Sequence, residues 1–178
     1  GLAVGGLASE CNKLSTAEKR TLVEWTLEDA AGRLPVSVTV SENTLAGQKE
    51  AIAHARDSGA GWAVMQPPPV RGASVKALVD FFAEVAAATH LPLGIQNAPE
   101  YIGVGLDNSA IAELARRASN VVVLKAEGPA PITTTTIQTR MPDEANNPPT
   151  DFIPILLPFQ TDTTETPSTT PGSATRHL

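Results

Sequence analysis

The chain has 178 residues, of which 42% are hydrophobic and 18% charged, with a net charge of −6. That balance suits a globular domain with a real core, and the acidic field argues against nucleic acid and anionic membrane as partners. A single cysteine, Cys11, excludes an internal disulfide and fits a reducing, cytoplasmic setting; three scattered histidines offer no zinc site, and no apolar run approaches the roughly 20 residues of a membrane helix.

The opening Gly-Leu-Ala-Val-Gly-Gly is already strand-like and reads as the middle of a longer fold. Residues 2–8 are small and apolar and predict a strand, followed by a loop at Ser9-Glu10. Ser15 with Glu18 three residues on has the form of a capping box, and a helix follows to about Ala31. Val36–Val40 alternates as a strand does. Thr44 starts a second helix, which Gly59 ends. Gly61–Gln66 is the next strand, stopped by Pro67-Pro68-Pro69. Ser74–Thr89 predicts a helix with Val75, Leu78, Val79, Phe82 and Val85 on one side. Leu93–Asn97 is a strand, 108–117 a helix, and Asn120 leads into a last strand at Val121. Trp25 and Trp62 are expected in the core.

The strands start near residues 2, 35, 61, 92 and 121, about 30 residues apart, with a helix between each pair. Such a repeat calls for a parallel α/β sheet with right-handed crossovers. No strand is followed by a glycine-rich dinucleotide turn or a phosphate loop, so no cofactor is expected, and a (β/α) barrel is favoured over a doubly wound sheet. After residue 130 the composition changes: 21 of the last 48 residues are Thr or Pro. This divides the chain into a partial-barrel domain over 1–130 and a low-complexity tail over 131–178, expected to be irregular and disordered. The exception in the tail is the apolar but proline-cut stretch Phe152–Phe159.

One stretch carries chemistry. In Val121-Val122-Val123-Leu124-Lys125-Ala126-Glu127-Gly128, an apolar, β-branched strand runs into a lysine. Strand alternation would point Val121, Val123 and Lys125 to one face, and Val122, Leu124 and Ala126 to the other. A lysine here either snorkels out to solvent or has a task. The task that fits is Schiff-base formation, in which an amine with its pKa lowered by burial attacks a carbonyl.

Taken together, the segments resemble the dihydrodipicolinate synthase and N-acetylneuraminate lyase family of class I aldolases. Gly6-Leu7-Ala8-Ser9-Glu10-Cys11-Asn12-Lys13-Leu14 is similar to the family's G-T-T-G-E-x-x-x-L turn. Gln66-Pro67-Pro68-Pro69 stands where the family has P-Y-Y, and Ile95-Gln96-Asn97-Ala98-Pro99 resembles its Y-N-x-P. Asn120–Glu127 is similar to N-I-x-G-x-K-x-x, whose lysine forms the Schiff base. The resemblance covers roughly residues 1–130 and implies a partial (β/α)8 TIM barrel containing about strands 2 to 6.

It implies further that Lys125 is the nucleophile of a lyase or aldolase acting on pyruvate or another small-molecule 2-oxo acid, with the substrate carboxylate on the backbone N–H groups of Ala8 and Ser9. Glu127 would share the face of Lys125, as an acid–base group or as a solvated loop carboxylate. Arg71 would bind a second carboxylate at the barrel mouth or stand exposed in its loop, and Gln96 and Asn97 are polar handles behind the chemistry. The family's proton-relay threonine and tyrosine are replaced by Leu7 and Pro69, which carry no proton; Ser9 Oγ or Tyr101 would have to substitute. The alternative is therefore a truncated, catalytically inactive remnant or binding module of the same fold. The missing strands and the tail together suggest a frameshift or fusion near residue 130, whereas a complete barrel would allow a homo-oligomer.

Overall fold

The computed structural model describes residues 1–6, 9–68, 72–99, 103 and 105–126. Strands β1 (Leu2–Val4), β2 (Val36–Val40), β3 (Trp62–Met65), β4 (Leu93–Asn97) and β5 (Val121–Ala126) alternate with helices α1 (Thr16–Ala30), α2 (Leu45–Asp57), α3 (Val75–Ala86) and α4 (Asn108–Arg117). A short 3-10 turn, Cys11–Lys13, precedes α1. All four strand pairings are parallel, and the sheet order is β1-β2-β3-β4-β5, the order of the sequence. A doubly wound sheet reverses direction at a switch point; this sheet does not, as in a stretch of (β/α) barrel.

The helix starts follow from side-chain chemistry. Ser15, Thr44, Ser74 and Asp107 each accept a hydrogen bond from the backbone N–H three residues on, so each of these four helices has its first turn capped. At α1 the box is complete, because Glu18 Oε2 also accepts from the Ser15 N–H at 2.8 Å. Each such cap contributes about 1 kcal/mol. The helices cover one face of the sheet. There Val38, Val40, Ala63, Met65, Leu93 and Ile95 meet Ile52, Leu78, Phe82, Val85 and Leu114, all at most 4% exposed. At the start of β5, Asn120 Nδ2 donates to the carbonyls of Ala86, Thr89 and Leu91 at 3.1, 2.9 and 3.4 Å, tying the strand to the turn after α3.

The structure corrects four expectations. β1 ends at Val4 rather than running to residue 8. Gly5 stops it at φ 80°, and any Cβ there would lie 2.7 Å from the Thr39 carbonyl oxygen. Trp25 is 64% exposed on α1, because that helix turns Val23 and Ala30 inward instead. Val75, at the first turn of α3, is exposed, while Leu78, Val79, Phe82 and Val85 are buried as expected.

The fourth correction concerns β5. Its pairing with β4 slips between Leu93 and Gly94: Leu93 faces Val121, but Gly94 faces Val123. The extra residue, Val122, breaks the alternation in the manner of a β-bulge. Val121 therefore joins Leu124 in the core, at 1% and 8% exposure, instead of sharing a face with Val123 and Lys125.

Candidate active site

Because all five strands are parallel, their C-terminal ends form one rim, the rim on which (β/α) barrels build their sites. The sheet face turned away from the helices bears Ser37, Thr39, Trp62, Val64, Gly94, Gln96, Val123 and Lys125, as the register shows: Ser37 pairs with Trp62, Thr39 with Val64, Val64 with Gly94, Gly94 with Val123 and Gln96 with Lys125. Among these residues Lys125 carries the only charge. It sits half-buried at the rim end of β5, one residue before the strand ends. Gln96 beside it is 2% exposed. Gly94 is needed there, since a Cβ would stand 3.0 Å from the Cβ of Val123.

Of the other residues singled out from the sequence, Ala8, Arg71 and Glu127 lie outside the described residues, as do Leu7, Pro69 and Tyr101. Ser9 is exposed at the rim beyond β1. Its N–H donates to the Gly6 carbonyl at 3.0 Å, and its hydroxyl donates to the same oxygen at 2.5 Å. Asn97 ends β4 on the helix-facing side, with its amide closed on one backbone unit: Nδ2 donates to Leu106 O at 2.9 Å and Oδ1 accepts from Leu106 N at 2.8 Å. It thus fixes the loop before α4. Asp107, the cap of that helix, accepts from the Ala110 N–H and the Ser109 hydroxyl, which hold its carboxyl below the usual range. The structure brings Lys125 and Gln96 side by side and sets Asn97 on the opposite face of β4.

Two supports were not legible in the sequence. Gln48 is fully buried in the first turns of α2 and donates from Nε2 to the Gln66 carbonyl at 2.9 Å, anchoring the chain just past β3. Its spacing with Ile52 and Ala55 on the inward side of α2 was the available signal. Lys19 reaches from α1 to Glu42 at 2.9 Å, bracing the rim after β2. A cleft opens on the helix side, between α1, α2 and the ends of β1 and β2, lined by Val4, Val38 and Val40 among others; Lys125 does not line it. Among the described residues no cluster of His, Cys, Asp or Glu is arranged to hold a metal, and no helix is long and apolar enough to cross a membrane.

A profile of the Dihydrodipicolinate synthetase family matches residues 1–143. The chain belongs to this family. The 4-hydroxy-tetrahydrodipicolinate synthase of Hyphomonas neptunium is 31% identical over 123 residues, spanning 69% of this chain and 42% of that protein. That of Exiguobacterium sibiricum is 32% identical over 127 residues, 71% of this chain and 43% of its own. Among solved structures, dihydrodipicolinate synthase from Aquifex aeolicus superposes with a TM-score of 0.73 at 25% identity, covering 77% of this chain and 47% of that one. The Acinetobacter baumannii dihydrodipicolinate synthase complexed with pyruvate gives 0.70 at 27%, covering 75% and 46%. The chain thus spans less than half the length of the relatives it matches, and its five-stranded sheet is a partial TIM barrel of the dihydrodipicolinate synthetase family.

Proposed function

We propose that the chain carries the nucleophile of a Schiff-base-forming lyase or aldolase acting on pyruvate or another 2-oxo acid, and that Lys125 is that nucleophile. The observation that carries this reading is the placement of Lys125: half-buried at the C-terminal rim of a partial TIM barrel, on a sheet face whose other paired strand residues carry no charge. The name of the Acinetobacter relative's complex supplies pyruvate as the substrate to try first.

In this reaction Nζ of Lys125 attacks the 2-oxo carbon, and the resulting carbinolamine loses water to give an iminium. The iminium accepts the electron pair released when a proton leaves, or a bond breaks, at the neighbouring carbon; later hydrolysis returns the free amine. Only the neutral amine carries the electron pair that attacks, so Nζ sheds its proton before the bond to the 2-oxo carbon forms. The carboxylate of the substrate is assigned to the turn at Ala8 and Ser9, where Ser9 exchanges its two bonds to Gly6 for the substrate. Arg71 takes a second carboxylate where the substrate has one, Glu127 serves proton transfer, and Asn97 holds the rim loop that borders the substrate. The cytoplasm is the setting that suits such chemistry.

Borohydride reduction in the presence of pyruvate tests the reading: it leaves a covalent adduct on Lys125 in the native chain and none in Lys125→Arg. A folded chain that gives no adduct sinks the reading and favours the inactive remnant or binding module, for which Leu7 and Pro69 at the family's relay positions argue.

A further inference from the structure

We infer that Gln66 reads the far end of the substrate: its side-chain amide, held at the rim by Gln48, hydrogen-bonds a polar group on the tail of a 2-oxo acid longer than pyruvate. The inference deepens the reading of Lys125 as nucleophile and rests on it. Gln66 is the first residue past β3, and its N–H donates to the Val40 carbonyl at 2.9 Å, which carries the β2–β3 pairing one residue beyond Met65. Pro67 follows, and a residue before proline is confined to extended backbone. The alternation of β3 therefore runs on: Met65 is in the helix-side core at 0% exposure, and Gln66, like Val64, belongs to the face turned away from the helices. Gln66 is half-buried there, and among the described residues none hydrogen-bonds its side-chain amide.

Gln66 is held from both sides. Its carbonyl accepts from Gln48 Nε2 at 2.9 Å, and Gln48 is 0% exposed inside α2. The other polar atom of that amide, Gln48 Oε1, is buried and accepts from no described residue. An unsatisfied buried acceptor costs about 1–3 kcal/mol, a cost that an apolar side chain like its inward neighbours Ile52 and Ala55 would not incur. Such breaches of polar satisfaction collect where function rather than stability sets the residue. The return here is a fixed place for the Gln66 side chain. Because β4 lies between β3 and β5, positions on those two strands stand about 10 Å apart along the sheet. Pyruvate joined to Lys125 ends too close to β5 to meet Gln66, whereas a 2-oxo acid several atoms longer spans the gap. An amide both donates and accepts without carrying charge, so it selects a hydroxyl, ether or amide in that tail over plain alkyl.

The test uses the full chain and two isosteric acids, 5-methoxy-2-oxopentanoate and 2-oxoheptanoate, which differ only by an ether oxygen in place of a methylene. At limiting acid, borohydride trapping on the native chain is about fivefold faster with the ether acid than with the alkyl acid. In Gln66→Met, close in shape but without an amide, that ratio falls to about one. In Gln48→Met it falls at least about twofold, a change that looser packing alone does not produce, because both acids bury the same shape. A native ratio near one, or trapping of pyruvate but of neither longer acid, overturns the inference. So does a fivefold ratio kept in Gln66→Met, the variant that decides the matter if Gln48→Met does not fold; a folded Gln48→Met that keeps the ratio overturns the holding role of Gln48. If the native chain traps no acid at all, pyruvate included, the nucleophile reading fails by itself, and calorimetric titration with the same two acids decides for Gln66. Tighter binding of the ether acid that is lost in Gln66→Met sustains the inference, and equal binding or none overturns it.

Discussion

Gly94 is the second residue of β4, inside the strand where glycine ordinarily weakens it, and the structure gives its reason. A Cβ built there lies 3.0 Å from Val123 Cβ, 3.2 Å from Val123 Cγ1 and 3.4 Å from the Val123 carbonyl oxygen. Carbon atoms prefer roughly 3.8 Å, so Gly94→Ala creates two overlaps of about 0.6–0.8 Å against a β-branched side chain that is stiff at χ1. Val123 cannot retreat by rotating, because the closest atom is its own Cβ. The β4–β5 ladder has to open instead, at a cost of about 1–3 kcal/mol. Taking about 2 kcal/mol, thermal unfolding followed by circular dichroism shows a Tm lower by roughly 8 °C. Gly61→Ala is the control: its Cβ meets nothing nearer than 3.6 Å, and its φ is not positive, so its Tm stays within about 2 °C of wild type. Adding Val123→Ala removes the Cγ1 contact, and the double variant is more stable than the sum of the single losses by about 0.5–1 kcal/mol. A Gly94→Ala chain as stable as Gly61→Ala would refute the packing argument and the slipped register on which it depends.

Two other expectations concern stability. Asn120→Ala orphans the interactions of three carbonyls around the turn after α3 and lowers the urea unfolding free energy by about 2 kcal/mol; a loss under about 0.5 kcal/mol would show that the staple is dispensable. Acid also acts in a defined direction. The Lys76 and Arg117 hydrogen bonds lower the Asp80 carboxyl, Ser15 lowers Glu18, and Ala110 and Ser109 lower Asp107. A carboxylate lowered in the folded state contributes stability that is fully present above its unfolded pKa and is lost as pH falls through the folded value. Tm is therefore flat from neutral pH down to about 5 and declines below about pH 4. Asp107→Asn, which keeps an N-cap but cannot ionise, makes that decline shallower; an unchanged acid limb would rule out the contribution of Asp107.

The strands and helices were legible because their signals are local. The boundaries of β2 and β4, the range of α4 and the cap residues Ser15, Thr44 and Ser74 all lie where residue pattern and turn chemistry place them. The features that escaped depend on a partner far away in sequence. The bulge at Val122 reflects how β5 lies against β4, and three consecutive valines contain no mark of it. Trp25 looked like core because it is large and apolar, but burial on α1 is decided by which side the sheet covers. Asn97 looked like a ligand handle; only the neighbouring loop shows its amide closed on Leu106. Lys125 was legible as an oddity of its strand, whereas its neighbour Gln96 became apparent only from the register.

The unbroken order of the sheet also bears on how the chain acquires its structure during synthesis. Each of β2 to β5 hydrogen-bonds to the strand that left the ribosome about one βα unit earlier, so none of these four pairings waits for a distant segment still to be translated. Closing each crossover orders a loop of similar size, and the entropic toll is much the same at every step. The sheet can grow in one direction as translation proceeds, with β4 docked before Lys125 is made. The nucleophile's strand then enters against a surface already assembled to receive it.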